Sequence, residues 1–116
     1  MANNLKTTTM AWGSPGRYIQ GPGEITNLPK YTTKFGDNVF VVIDQFFYED
    51  LTAKLGKLYE ELPGTFKTVV FNTEVSEEQI AATSAIAKEI NPSVIVGIGG
   101  GKTLDTAKAV ADVLHV

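Results

Sequence analysis

The sequence predicts an α/β fold in which a parallel sheet carries helices on its faces, its elements running in βαβαβα order. Three apolar runs, VFVVI from Val39, TVVF from Thr68 and SVIVGI from Ser93, are short, rich in β-branched residues and nearly continuous rather than alternating. Strands covered on both faces read this way, because neither face meets water. Each run is followed by a stretch whose apolar residues recur at helical spacing. Right-handed crossovers turn that order into a parallel sheet whose ligand site lies at the carboxyl ends of the strands.

Residues 1–16 read as a polar N-terminal segment and residues 17–116 as one compact domain or a piece of something larger. The stretch RYIQGPGEITNLPKYTTKF opens that domain with a short N-terminal edge strand, a Gly-Pro-Gly turn and an irregular helix that has Pro29 in its first turn. After the Val39 strand, Phe47, Leu51, Leu55, Leu58 and Leu62 recur at steps of three or four until Pro63-Gly64 stops the pattern. On that spacing Phe47 faces the core, although Phe46, Phe47 and Tyr48 together could also line an adenine pocket. Ser76 and Gln79 form a capping box for the next helix, Glu77 and Glu78 favour its positive end, and Asn91-Pro92 closes it. Leu104, Ala107, Val110, Ala111 and Leu114 mark one face of a last helix starting near Lys102 or Thr103. There is no internal repeat, low-complexity tract or linker.

With ten basic and thirteen acidic side chains the net charge is −3, so no basic field exists to attract nucleic acid or an anionic membrane. No apolar run reaches the length needed to cross a bilayer, and the first residues lack the pattern of a secretory signal. The chain has no cysteine, which excludes disulfides, thiol catalysis and thiolate metal sites and suits the cytoplasm.

The chemistry concentrates in GIGGGKT, where Gly97, Gly99, Gly100 and Gly101 stand between the third strand and the last helix. Glycine admits positive φ and close approach of a bulky group, and the amides at a helix start supply donors for an anion. A phosphate or pyrophosphate is the natural occupant; a tight turn would need only one or two of these glycines. Two familiar motifs fail on spacing. A P-loop would need glycine at position 96, where Val96 stands, so nucleotide-triphosphate hydrolysis is not expected. The dinucleotide fingerprint counted from Gly97 meets Lys102 at its third glycine, and the corner does not follow the first strand.

Asp44 closes the first strand at the same sheet edge as these glycines. A carboxylate there could accept hydrogen bonds from both ribose hydroxyls and repel a 2′-phosphate, favouring NAD over NADP; equally it could be a helix N-cap, and the two roles are compatible. For one nucleotide to touch Asp44 and the glycines, the first and third strands must be neighbours, which predicts spatial order 2-1-3.

GIGGGKTLDTAKAVAD, with RYIQGPG near the start and VVID between, resembles the amino-terminal part of the bacterial glycerol dehydrogenases, in the iron-containing alcohol dehydrogenase and dehydroquinate synthase superfamily. The resemblance covers nearly the whole chain from Arg17 and implies a truncated, Rossmann-like nucleotide-binding domain. It places Gly99, Gly100, Gly101 and Lys102 at the dinucleotide pyrophosphate, Asp44 at the adenosine ribose, and Asp105 at the acidic position of the family's G-G-G-x-x-x-D signature. Asp105 also reads as a first-turn carboxylate on the helix dipole, paired with Lys102 or Lys108. One departure stands at FNTEVS, where Asn72, Thr73 and Val75 replace two glycines and a cysteine of the family pattern while Glu74 and Ser76 match.

Relatives hold a metal, usually zinc, through an Asp and two His in a helical domain that follows, whereas this chain has a single histidine, His115. The resemblance therefore implies NAD-dependent oxidation of glycerol to dihydroxyacetone in a longer enzyme, with this chain supplying the cofactor-binding part and inactive alone. No catalytic or metal-binding residue is assigned to it. An unpaired sheet edge would favour a homo-oligomer or completion by another polypeptide. The alternatives are a glycerol-1-phosphate dehydrogenase-like oxidoreductase and a nucleotide-binding or assembly module without chemistry.

Overall fold

The computed structural model describes residues 8–11, 17–20, 24–72 and 75–116. The Gly-Pro-Gly turn at 21–23 and the positions of Thr73 and Glu74 lie outside them. Two four-residue strands, β1 (Thr8–Ala11) and β2 (Arg17–Gln20), precede a 3-10 turn (Glu24–Asn27) and the helix α1 (Leu28–Thr32). The strands β3 (Val39–Asp44), β4 (Phe66–Phe71) and β5 (Val94–Ile98) then alternate with α2 (Tyr48–Tyr59), α3 (Glu77–Lys88) and α4 (Gly101–Leu114).

The parallel sheet has the order β4-β3-β5, which is the expected 2-1-3 arrangement. Val39 lies opposite Phe66 on one side and Val94 on the other, and Asp44 pairs with Phe71 at the carboxyl edge. Because β3 is the central strand, Val39 to Ile43 are all buried, which explains why its sequence does not alternate.

Side chains of β3 nevertheless sort to two faces with the period of two that a strand imposes. Val39, Val41 and Ile43 join Leu28, Leu55 and Tyr59 in one core beneath α1 and α2. Phe40 and Val42 join Phe71, Ile95, Ala87, Ala107 and Val110 in a second core beneath α3 and α4. Complete burial of a side chain of this size is worth about 1.5–3 kcal/mol, so β3 anchors both layers. Tyr59 also stacks on Phe66 with ring centroids 4.3 Å apart. The Tyr59 hydroxyl lies 2.6 Å from Thr32 Oγ1. Thr32 Oγ1 also lies 3.3 Å from the Leu28 carbonyl oxygen, and either hydroxyl of the Tyr59–Thr32 pair can donate to the other. Burial raises the Tyr59 pKa, and the Thr32 bond offsets part of that rise.

At the amino end of the sheet, Asn38 ties three strand starts together. Its Nδ2 donates to the carbonyls of Ile90 and Asn91, and its Oδ1 accepts from the Thr65 amide. Its own carbonyl accepts from the Ser93 amide at 2.8 Å.

Helix boundaries follow local chemistry. Ser76 is the N-cap of α3 and accepts from the Gln79 amide at 3.1 Å, and Pro29 stands in the first turn of α1, both as expected. Asn91 takes φ +49° in the turn that ends the α3 segment.

Several expectations are revised. The strand at Arg17 forms, but it joins the antiparallel partner β1 in a separate two-stranded sheet rather than edging the parallel one. The segment read as a polar extension therefore contains a strand; TTMA has too few apolar residues to show a period. Phe47 is 50% exposed rather than core-facing, because α2 begins only at Tyr48, and Tyr48 takes the place against the core. The last helix starts at Gly101, slightly earlier than expected.

Candidate functional site

The carboxyl ends of β3 and β5 bring Asp44 and the glycine corner together. Gly99, directly after β5, has φ +145°, a conformation that L side chains rarely adopt. A Cβ at Gly99 would lie 2.6 Å from the Cβ of Asp44 and 2.9 Å from Thr103 Oγ1, so only glycine fits between the end of β3 and the start of α4. Gly97 serves packing as well: a Cβ there would come within 2.8 Å of the Ala107 Cβ, where α4 lies on β5.

Gly100 and Gly101 differ in kind. A Cβ at either would meet no atom within 4 Å, and Gly100 has an ordinary extended backbone with φ −81°. Neither packing nor local conformation calls for glycine there. Gly100 is the N-cap of α4 and offers no side chain to its amides. The first turn of α4 thus presents backbone donors and the positive end of a helix dipole beside two glycines whose Cβ positions are open, an arrangement whose chemistry suits a phosphate group.

Asp44 is half-buried and held from two sides. Its Oδ1 accepts from the Phe46 amide at 2.9 Å, and its Oδ2 accepts from the Thr103 hydroxyl at 3.3 Å. The N-cap of α2 is Phe47, so Asp44 is not the cap that sequence reasoning offered as one of its two roles. It instead fixes the turn leading into that helix, whose Phe47 amide donates to the Asp44 carbonyl. Phe46 is 84% exposed beside this carboxylate.

Lys102 and Asp105 are exposed on α4. Because α4 begins at Gly101, Asp105 lies beyond the first turn, which corrects its reading as a first-turn carboxylate. Among the described residues, ion pairs join Lys54 to Asp50 and Lys67 to Glu89; Lys108, one of the two partners offered for Asp105, is not in a pair with it. His115 caps the far end of α4, about 20 Å from the corner at the usual rise per residue. No group of three or more His, Cys, Asp or Glu converges among the described residues, and no helix there is long and apolar enough to cross a membrane.

Sequence reasoning missed Thr103 as a site residue. It is 1% exposed, and its hydroxyl bridges α4 to β3. A threonine after a Gly-Lys pair carries no local sign of a partner at position 44.

A three-stranded parallel sheet with a glycine-rich strand-to-helix corner at its carboxyl edge defines an α/β protein. Residues 15–116 match the iron-containing alcohol dehydrogenase family, and the chain belongs to it. The chain is 44% identical over 102 residues to glycerol dehydrogenase from Thermotoga maritima, an alignment covering 84% of this chain and 26% of that protein. Glycolaldehyde reductase from Halobacterium salinarum is 32% identical over 104 residues, covering 90% of this chain and 28% of the relative. The crystal structure of a probable glycerol dehydrogenase from Sinorhizobium meliloti superposes with a TM-score of 0.69 at 34% identity, over 88% of this chain and 27% of that one. This chain therefore spans little more than a quarter of the length of such relatives.

Proposed function

We propose that this chain is the dinucleotide-binding part of an NAD-dependent glycerol dehydrogenase, which oxidises glycerol to dihydroxyacetone when complete. The observation that carries this reading is the contrast among the glycines, since Gly100 and Gly101 are open where nothing in the fold calls for them. Asp44 stands at the same edge.

In this reading the amides at the start of α4 and the Lys102 ammonium hold the pyrophosphate, Gly99 to Gly101 keep the approach clear, and Asp44 accepts from the adenosine ribose. Asp105 keeps the family signature on the outer face of α4. NAD, when bound, supplies the nicotinamide that accepts a hydride from the alcohol. Zinc, the metal usual in the family, is expected to be held by the remainder of the longer enzyme. No residue of this chain is assigned to hydride transfer, and the chain by itself is expected to be inactive. A cytoplasmic setting fits the absence of cysteine.

The sheet also supports a reading of assembly. Among the described residues β4 and β5 each have a partner on one side only within the parallel sheet, and an open edge invites a second copy of the chain.

Calorimetric titration with NAD and with ADP-ribose tests the cofactor reading. Both should bind saturably with similar affinity, because the chain has no assigned contact to the nicotinamide. Binding should fall at least tenfold, roughly the loss of one or two charge-assisted hydrogen bonds, in Asp44→Ala and in Gly100→Val. A folded chain that binds neither ligand would defeat the reading.

A further inference from the structure

Resting on the dinucleotide reading, the geometry points to Thr103 as a positioning residue that sets the Asp44 carboxylate for ribose recognition. Thr103 lies in the first turn of α4, yet its hydroxyl does not turn back onto its own helix. It crosses to β3 and donates to Asp44 Oδ2 at 3.3 Å. Thr106, one turn later, shows the ordinary alternative, with its hydroxyl bonded to the Lys102 carbonyl within the helix.

The carboxylate could otherwise rotate about its side-chain bonds. The Phe46 amide fixes Oδ1 and the Thr103 hydroxyl fixes Oδ2, so both oxygens are oriented before any ligand arrives. Each oxygen keeps acceptor capacity beyond the single bond it makes, which leaves room for a ribose hydroxyl. Gly99 maintains the bridge, because a Cβ there would enter the space between Asp44 and Thr103. Thr103 thereby joins the helix start that would hold the pyrophosphate to the carboxylate that would hold the ribose. Preorganisation of this kind lowers the ordering cost of binding.

The test titrates the 116-residue chain with ADP and with 2′,3′-dideoxy-ADP, which lacks both ribose hydroxyls, while thermal melting confirms folding of each variant. Thr103→Val should weaken ADP binding about three- to tenfold, the span expected for one hydrogen bond. Thr103→Ser should restore it, and neither change should alter binding of the dideoxy ligand. In a background of Asp44→Ala, which removes the acceptor, Thr103→Val should cost nothing further. Thr103→Ala serves as the second removal if the valine variant does not fold. Equal weakening of both ligands, or additive losses with Asp44→Ala, would overturn the positioning role and leave the dinucleotide reading standing. A folded wild-type chain that binds neither ADP nor ADP-ribose would remove the dinucleotide reading itself, and this inference with it.

Discussion

A single hydrogen in place of a methyl group at position 99 keeps the end of β3 and the start of α4 apart. Gly99→Ala would hold a residue with a side chain at φ +145° and drive its Cβ to 2.6 Å from Asp44. Strain of that kind costs about 1–3 kcal/mol and overpacking about as much again. Urea denaturation should show a loss of that size. Gly100→Ala should leave stability within about 0.5 kcal/mol of wild type, because its backbone is unstrained and its Cβ meets nothing. It should still weaken ADP-ribose binding. Finding the two substitutions alike in both measurements would contradict the division of roles among the glycines. At this scale the sequence is legible where a residue type carries its own meaning, as with the glycines and a carboxylate closing a strand. Thr103 is not legible, because its partner lies 59 positions away. Phe47 misleads because it continues the period of α2 one residue before that helix begins.

Among the elements, α2 is tied to α1 by the hydrogen bond between Tyr59 and Thr32. Burial of Tyr59 raises its pKa above the ordinary value. The unfolded phenol therefore ionises first, so the neutral buried form contributes fully below pH of about 10 and that contribution is lost as pH climbs through the raised value. Urea midpoints measured from neutral to strongly alkaline pH should fall above that point, and the fall should be smaller in Tyr59→Phe. At neutral pH the same substitution should cost about 0.5–1.5 kcal/mol, since it removes one buried hydrogen bond. An unchanged alkaline profile would mean that Tyr59 is not the group responsible. The elements themselves are the most legible level. Central burial makes β3 a continuous apolar run, and one-sided packing gives α2 and α4 their periodic stripes. The short strand β1 escapes notice because its pairing with β2 is a matter of two segments meeting, not of any pattern within TTMA.

At the scale of the whole molecule, the three-stranded parallel sheet has β4 and β5 at its edges, in a chain matched to proteins of which it covers 26% and 28%. If copies associate through an edge, sedimentation equilibrium should show the average mass rising with concentration. Val70→Lys, which places a charge at a 43% exposed position of β4, should oppose that rise if β4 is the edge used. A monomer at every concentration would dismiss self-association. The order of the three strands is legible before the structure because a ligand touching both Asp44 and the glycines requires it. What holds the opposite end of the sheet is not, since Asn38 resembles any polar residue ahead of a strand. That asparagine bonds at once to the Thr65 amide, the Ser93 amide and the Ile90 carbonyl, so no one of these contacts opens without loosening the others. Hydrogen exchange should therefore find the Thr65 and Ser93 amides opening together, in one shared event at the amino end of the sheet.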